Sequence, residues 1–260
     1  MTDQDRYANI IFLNAVLPLV KVIVDSDEKV KSKFKGITAT LQISALCEGG
    51  KVGTHYEIDE GELKVVKGVI DSPTLELEFK SILDFNGFFK GTSKKLPKII
   101  GLRHLKLLIA SLSGLLKMAG LLGLNEPPSK HHEKELLVRL YFYLLSSGIS
   151  QLNKAGHPEI SKWVKKSPDR VYAWTVNGED KLSAFLRIKA GNSKASRGLY
   201  KRSKPFFTMR FDSTDSALGI LMELDDMIES TIKGKLVMEG APEFGAQLGD
   251  YMGIVGSYAK

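Results

Sequence analysis

The 260 residues are 43% hydrophobic and 26% charged, which is long enough for two ordinary domains and too apolar for a disordered chain. One cysteine, Cys47, excludes an intramolecular disulfide and suits a reducing compartment, and it is expected to be a small buried hydrophobe rather than a nucleophile. The net charge of +7 favours anionic partners only weakly, phospholipid headgroups included; the start M-T-D-Q-D-R is acidic where a secretory leader is basic, so a cytoplasmic protein is predicted.

Tyr7 to Val24 reads as a helix that Pro18 kinks or interrupts, and the lysine-rich Asp25 to Lys35 as a solvated connection. Four strand-like runs follow, Ile37 to Cys47, Lys51 to Ile58, Glu62 to Val69 and Thr74 to Phe79. Turn residues separate them, which predicts an antiparallel meander. In the last run Leu75, Leu77 and Phe79 alternate with glutamates, so the apolar set is expected to face a core and the glutamates water. A short helix from Ser81 to Phe89, a fifth strand in K-K-L-P-K-I-I-G and a helix from Arg103 complete this half. Leu105 to Leu124 is nearly long and apolar enough to span a bilayer. Its stripe of Lys106, Ala110, Ser113 and Lys117 predicts instead an amphipathic helix packed on a sheet.

Residues 125–132 form the linker between a first unit, 1–124, and a second, 133–260. The second opens on a helix from Lys134 to Leu152, extending past Pro158. Strands are predicted at Arg170 to Val176, Leu182 to Ala190, Ala195 to Tyr200 and Phe206 to Phe211, with Asn177-Gly178 as a hairpin turn. Ser213 opens a helix covering Ala217 to Ile228, a strand spans Ile232 to Glu239, and a glycine-studded helix from Pro242 ends the chain. That helix gives up intrinsic stability, which must be regained by close packing or exchanged for room.

The order of elements repeats. P-T-L-E-L-E-F-K-S from Pro73 and P-F-F-T-M-R-F-D-S from Pro205 share Pro, Phe and Ser at an offset of 132. From Phe79 the first half reaches Gly101 in 22 residues, and from Phe211 the second reaches Gly240 in 29. Internal duplication accounts for both observations.

The second half carries Asp212-Ser213, an apolar helix from Leu218 to Ile228, Gly234-Lys235-Leu236 with Gly240, and a closing helix from Phe244 to Val255. In this it resembles the sterol carrier protein 2 (SCP2) family. The first half looks like a degenerate copy, with Lys95-Leu96-Pro97 in place of Gly234-Lys235-Leu236; a proline there is tolerated only at an edge or bulge. The resemblance implies an α+β fold of two such units, each a five-stranded, mostly antiparallel sheet covered by helices. It also implies an apolar tunnel between sheet and helices for a sterol, fatty acyl chain, acyl-CoA or phospholipid, with the second unit the binder.

Catalytic patterns are few. There is no phosphate-cradling glycine loop and no nucleophile elbow; Ser111-Leu112-Ser113-Gly114 falls inside a predicted helix. His131-His132-Glu133 is the one grouping of metal-ligand type, but adjacent helical side chains diverge by about 100°, so it reads as solvated linker and no metal or cofactor is expected. The basic run Lys201-Arg202-Ser203-Lys204 lacks interleaved aromatics, which argues against nucleic acid and leaves weak contact with an anionic membrane. The candidate ligand lining is therefore apolar: Phe185, Phe207, Met209, Leu218, Leu221, Met222, Met227, Met238, Phe244, Leu248 and Met252, with Phe206 alternating away from Phe207 and Met209. The expectation is a non-enzymatic binder or carrier. A protein-interaction module with no ligand is the alternative, and an enzyme acting on a lipid ester is a third reading with no pairable nucleophile and base.

Overall fold

Helix α1 (Asp3–Ile11) starts at a capping box: Thr2 Oγ1 accepts from the Asp5 amide at 3.2 Å, and the Asp5 carboxylate accepts from the Thr2 amide at 3.0 Å. Pro18 has no amide to continue the ladder, so the predicted helix is interrupted by a π-helical turn over Phe12–Val16 before α2 (Leu19–Ser26). The Leu17 amide reaches back to Phe12 O, which leaves Leu13 O without its usual partner. Thr54 donates to that carbonyl at 2.6 Å, and Tyr56 donates to Leu17 O at 2.7 Å, both from full burial. The break in the helix is thus met by hydroxyls from the sheet.

The computed structural model that shows this describes residues 1–259. They divide into Met1–Gly120 with the residues from Tyr258 onward, and Leu121–Ser257. In the first unit α3 (Glu28–Phe34) occupies the stretch expected to be a solvated connection. Asp27 caps it by accepting from the amides of Lys29 and Val30, and Val30 and Phe34, one turn apart, are buried.

Strands β1 (Ala39–Cys47), β2 (Gly50–Asp59) and β3 (Glu62–Lys67) form the expected meander. β4 (Leu75–Phe79) does not extend it; it crosses over to pair parallel with β1, and the edge strand β5 (Lys98–Ile100) pairs antiparallel with β4. The order is β3-β2-β1-β4-β5. Helices α4 (Ile82–Phe89), capped by Ser81, and α5 (Leu105–Leu122) complete the unit.

The crossover corrects a sequence expectation. A parallel connection must traverse one face of the sheet, and here the chain between β3 and β4 covers the face expected to be wet: the Ile70 amide donates to Gln42 Oε1 at 2.7 Å. Glu76 is therefore only 3% exposed. Its Oε1 accepts from Ser44 Oγ at 2.5 Å, Lys51 Nζ at 2.7 Å and Gln42 Nε2 at 2.8 Å, and Lys51 also pairs with Glu78. Burial raises the Glu76 pKa, but these donors outweigh it and hold the carboxyl below its ordinary range.

A second correction concerns α5. Its stripe of Lys106, Ser113 and Lys117 faces α3: Lys106 Nζ donates to Lys35 O, Lys33 Nζ donates to Ser113 Oγ, and Lys117 lies 3.8 Å from Asp27. The helix packs on other helices, with Gly114 against Val20, Val24 and Val30. Leucine was available on both sides of this helix, so one apolar row remains in solvent, with Leu105 58%, Ile109 60% and Leu116 69% exposed.

The second unit opens on α6 (His131–Lys154) and α7 (Pro158–Lys166), separated by a turn at Gly156. β6 (Arg170–Val176), β7 (Glu179–Lys189) and β8 (Asn192–Arg197) form a meander, β9 (Phe207–Phe211) pairs parallel with β6, and β10 (Leu236–Glu239) pairs antiparallel with β9. Read from the other edge, the order is β8-β7-β6-β9-β10, so both sheets share one topology and pairing sense. The register agrees with the sequence repeat: β4 and β9 begin 132 residues apart, and Ser81 and Ser213 cap the helices that follow them. Leu77 pairs with Ile99 and Met209 with Met238, so Pro97 holds in the first unit the position that Leu236 holds in the second, and it lies just outside the edge strand.

The predicted helix over Ala217 to Ile228 is two helices, α8 (Thr214–Leu221) and α9 (Met227–Ile232), and the strand after it begins at Leu236 rather than Ile232. Asp226 accepts from the Glu229 amide and restarts the helix, which accounts for the longer spacing in this half. The terminal helix is α10 (Pro242–Ala259). The architecture is α+β, with two five-stranded mixed sheets covered by helices.

Candidate functional site

Pleat and register decide which predicted lining residues meet. On β9, Phe207 and Met209 share a face with Met238 on β10 and with Tyr172 and Trp174 on β6. All but Met238 are completely buried. Helix α10 closes on this face through Leu248 and Met252, and the Met252 sulfur accepts from Trp174 Nε1 at 3.4 Å. Leu218 and Leu221 are buried on α8, Met227 on α9 is half-buried against Gly249, and Met222 is half-buried at the end of α8. Phe185 does not join them. It stands on the opposite face of β7, where Tyr200 in the β8–β9 crossover contacts it at 5.0 Å between ring centres.

The glycines of α10 divide between the two roles open to them. A Cβ on Gly245 would lie 2.4 Å from Met238 Sδ and 3.0 Å from Phe207 Cζ, so glycine there lets the helix seat directly on β9 and β10. Gly253 and Gly256 have nothing within 4 Å of the corresponding position. Gly253 is exposed, so its open side faces solvent, while Tyr251, Met252 and Val255 on the same stretch of α10 are buried.

Between the start of β6, α7 and α10 lies an aromatic cluster that the lining set mostly omitted. Trp163 on α7 is 5.3 Å from Tyr172 and 4.7 Å from Tyr251. Phe206 packs edge-on against Tyr172 at 5.8 Å and Phe244 at 4.8 Å, and the Arg170 guanidinium lies over Phe206 at 3.9 Å. Phe206, expected to point away from the site, is 38% exposed at its rim. Burial raises the Tyr251 hydroxyl pKa, so it stays protonated across the physiological range.

The Tyr172 hydroxyl is buried and has no hydrogen-bond partner among the described residues. A buried hydroxyl left unpaired costs about 1–3 kcal/mol, so it is an unused donor and acceptor within the aromatic cluster. Thr175 Oγ1 is likewise unpaired, but three residues along a strand it faces the other side and belongs to a separate environment. Alternation in Arg170 to Val176 already places Tyr172 and Trp174 on one face; that the hydroxyl lacks a partner is a fact of the packing alone.

His131 and His132 lie exposed in the first turn of α6, His131 beside Glu135 at 3.2 Å. Lys201, Arg202 and Lys204 are exposed in the β8–β9 crossover.

No family model matches the chain, and no curated protein does. Among solved structures, one of a conserved hypothetical protein from Thermus thermophilus, described as possibly a sterol carrier protein, is 16% identical and covers 47% of this chain and 85% of its own. The TM-score is 0.29, at which the likeness carries no weight for fold or ligand.

Proposed function

We propose that the second unit binds and carries an apolar ligand that ends in one polar group, with its tail between the sheet and α10 and its polar end at Tyr172. The unpaired Tyr172 hydroxyl carries this reading, because a mostly apolar site with a few placed polar groups is the usual build of a small-molecule pocket. Carriage without chemical conversion is part of the proposal, and a sterol hydroxyl or an acyl carboxyl both fit. Burying an acyl chain of about 15 methylenes gains about 12 kcal/mol, and association costs of about 4 kcal/mol or more leave roughly micromolar affinity. No sequence motif is needed for that.

Delipidated protein titrated with a fluorescent fatty acid and a fluorescent sterol should show saturable binding of at least one, with altered emission from Trp163. Tyr172→Phe should stabilise the ligand-free protein by about 1 kcal/mol by removing an unpaired hydroxyl, and should weaken binding about tenfold. Absence of saturable binding overturns the function; unchanged affinity in the variant overturns the role given to Tyr172.

A further inference from the structure

The net charge of the protein is not spread over it. Between Asp84 and Glu126 there are seven Lys and Arg and no Asp or Glu, while the remainder of the chain carries 30 of each sign. The whole formal excess of +7 therefore lies in one segment, which contains β5 and α5. The same segment holds the exposed apolar row of α5. Leu105, Ile109, Leu112 and Leu116 fall within an arc of about 60° on the helix, and all four are exposed. In the approach from β5, Leu96 is 78% and Leu102 57% exposed, and Lys98 and Arg103 are exposed as well.

Along α5 one border of this row is basic. Lys106 is exposed beside it, and Lys33 reaches it from α3 through its bond to Ser113. An 18-residue helix lying flat presents a strip about 27 Å long. A span is the wrong reading of the same apolarity, because the Lys106, Ser113 and Lys117 side of the helix is held by polar contacts to α3. Apolar side chains in a row, bordered by cations with no anion in the segment, match the chemistry of an anionic lipid surface: acyl chains receive the leucines and headgroups the lysines.

We infer that α5 and the approach to it from β5 form a membrane-docking face, which seats the protein on anionic bilayers with α5 parallel to the surface. This moves the expected headgroup contact from Lys201–Lys204 to the first unit, and it does not depend on whether the second unit holds a ligand.

Co-sedimentation of the full-length protein with vesicles tests it, using pure phosphatidylcholine and phosphatidylcholine with about one third phosphatidylserine. Partition onto the anionic vesicles should exceed that onto the neutral ones at least about tenfold and fall as salt is raised. The triple variant Leu105→Ser, Ile109→Ser, Leu116→Ser should lose at least about tenfold of that partition while keeping its circular dichroism and melting temperature, since these side chains are already in solvent. Lys98→Glu with Arg103→Glu should remove the preference for phosphatidylserine, and Tyr172→Phe should bind vesicles as the wild type does. Equal binding by the triple variant, or no binding to either vesicle, overturns the inference. So does a concentration-dependent dimer that the triple variant abolishes, because the row would then be covered by a second copy. Loss of vesicle binding in Tyr172→Phe would also overturn it, by placing the contact in the second unit.

Discussion

Lys51→Met is expected to destabilise the first unit by about 3–5 kcal/mol at neutral pH, the range for removing one partner of a buried ion pair. Lys51 bonds to both Glu76 and Glu78, and Glu76 is nearly inaccessible to water. Without the ammonium, Glu76 keeps the Ser44 and Gln42 donors, but two carboxylates then share one covered face. Adding Glu76→Gln should restore much of the loss, because the amide keeps a hydrogen-bonding oxygen and carries no charge. Both tryptophans, Trp163 and Trp174, lie in the second unit. Urea unfolding followed by far-ultraviolet circular dichroism beside tryptophan fluorescence therefore separates the affected transition from the other. A loss under about 1 kcal/mol would show that the network is dispensable.

The pH dependence has a definite sign. Burial pushes the Glu76 pKa up, but bonds from Lys51, Ser44 and Gln42 bring it below the ordinary 4.5, so its stabilisation is complete above that value and fades as pH falls through the lower folded-state pKa. Burial lowers the Lys51 pKa, but its bonds to Glu76 and Glu78 raise it above the ordinary 10.5, so that contribution is present below 10.5 and fades as pH rises through the folded-state pKa. The wild type should therefore lose stability on acidification below about 4.5, and the gap to Lys51→Met should narrow there as the unpaired carboxyl takes up a proton.

Gly101→Ala should cost about 3 kcal/mol or more, combining backbone strain with a collision that cannot relax. Gly101 has φ of +87°, and a Cβ there would sit 2.2 Å from the Thr74 carbonyl oxygen and 3.3 Å from Leu75 Cα. Thr74 cannot retreat freely, because it and Thr40 exchange bonds between amide and hydroxyl at 3.1 and 2.9 Å that fix the start of β4 on β1. Gly68→Ala provides the control: its φ is +91° with nothing within 4 Å, so it should show the strain alone, about 1 kcal/mol. Equal losses for the two variants would mean that the collision is relieved without cost. The second unit has the same device, in that a Cβ on Gly240 would lie 3.2 Å from Phe206 O, and Phe206 is 132 residues after Thr74.

Local chemistry was legible without coordinates. Ser81 and Ser213 as caps, Asn177-Gly178 as a turn, Arg170 to Val176 as a strand and the register of the repeat all follow from interactions between residues near in sequence. The α3 helix was hidden by its lysines, although Val30 and Phe34 one turn apart and Asp27 as a cap mark it. Of the proposed lining, alternation puts Phe207 and Met209 on one face of their strand, but only the strand pairing shows that Phe185 lies on the other face of the sheet.

Period, turn residues and the repeat marked out most helices and strands and two similar halves, because helix caps and strand alternation are settled within a few residues of each position. Tertiary structure alone decided which faces are covered. The crossover before β4 turned an alternating glutamate into the buried Glu76, close packing left the Tyr172 hydroxyl without a partner, and α5, with leucine on both sides, kept one row in water. In each case the deciding neighbour comes from a distant part of the chain, and a side chain's own pattern cannot say what will lie over it.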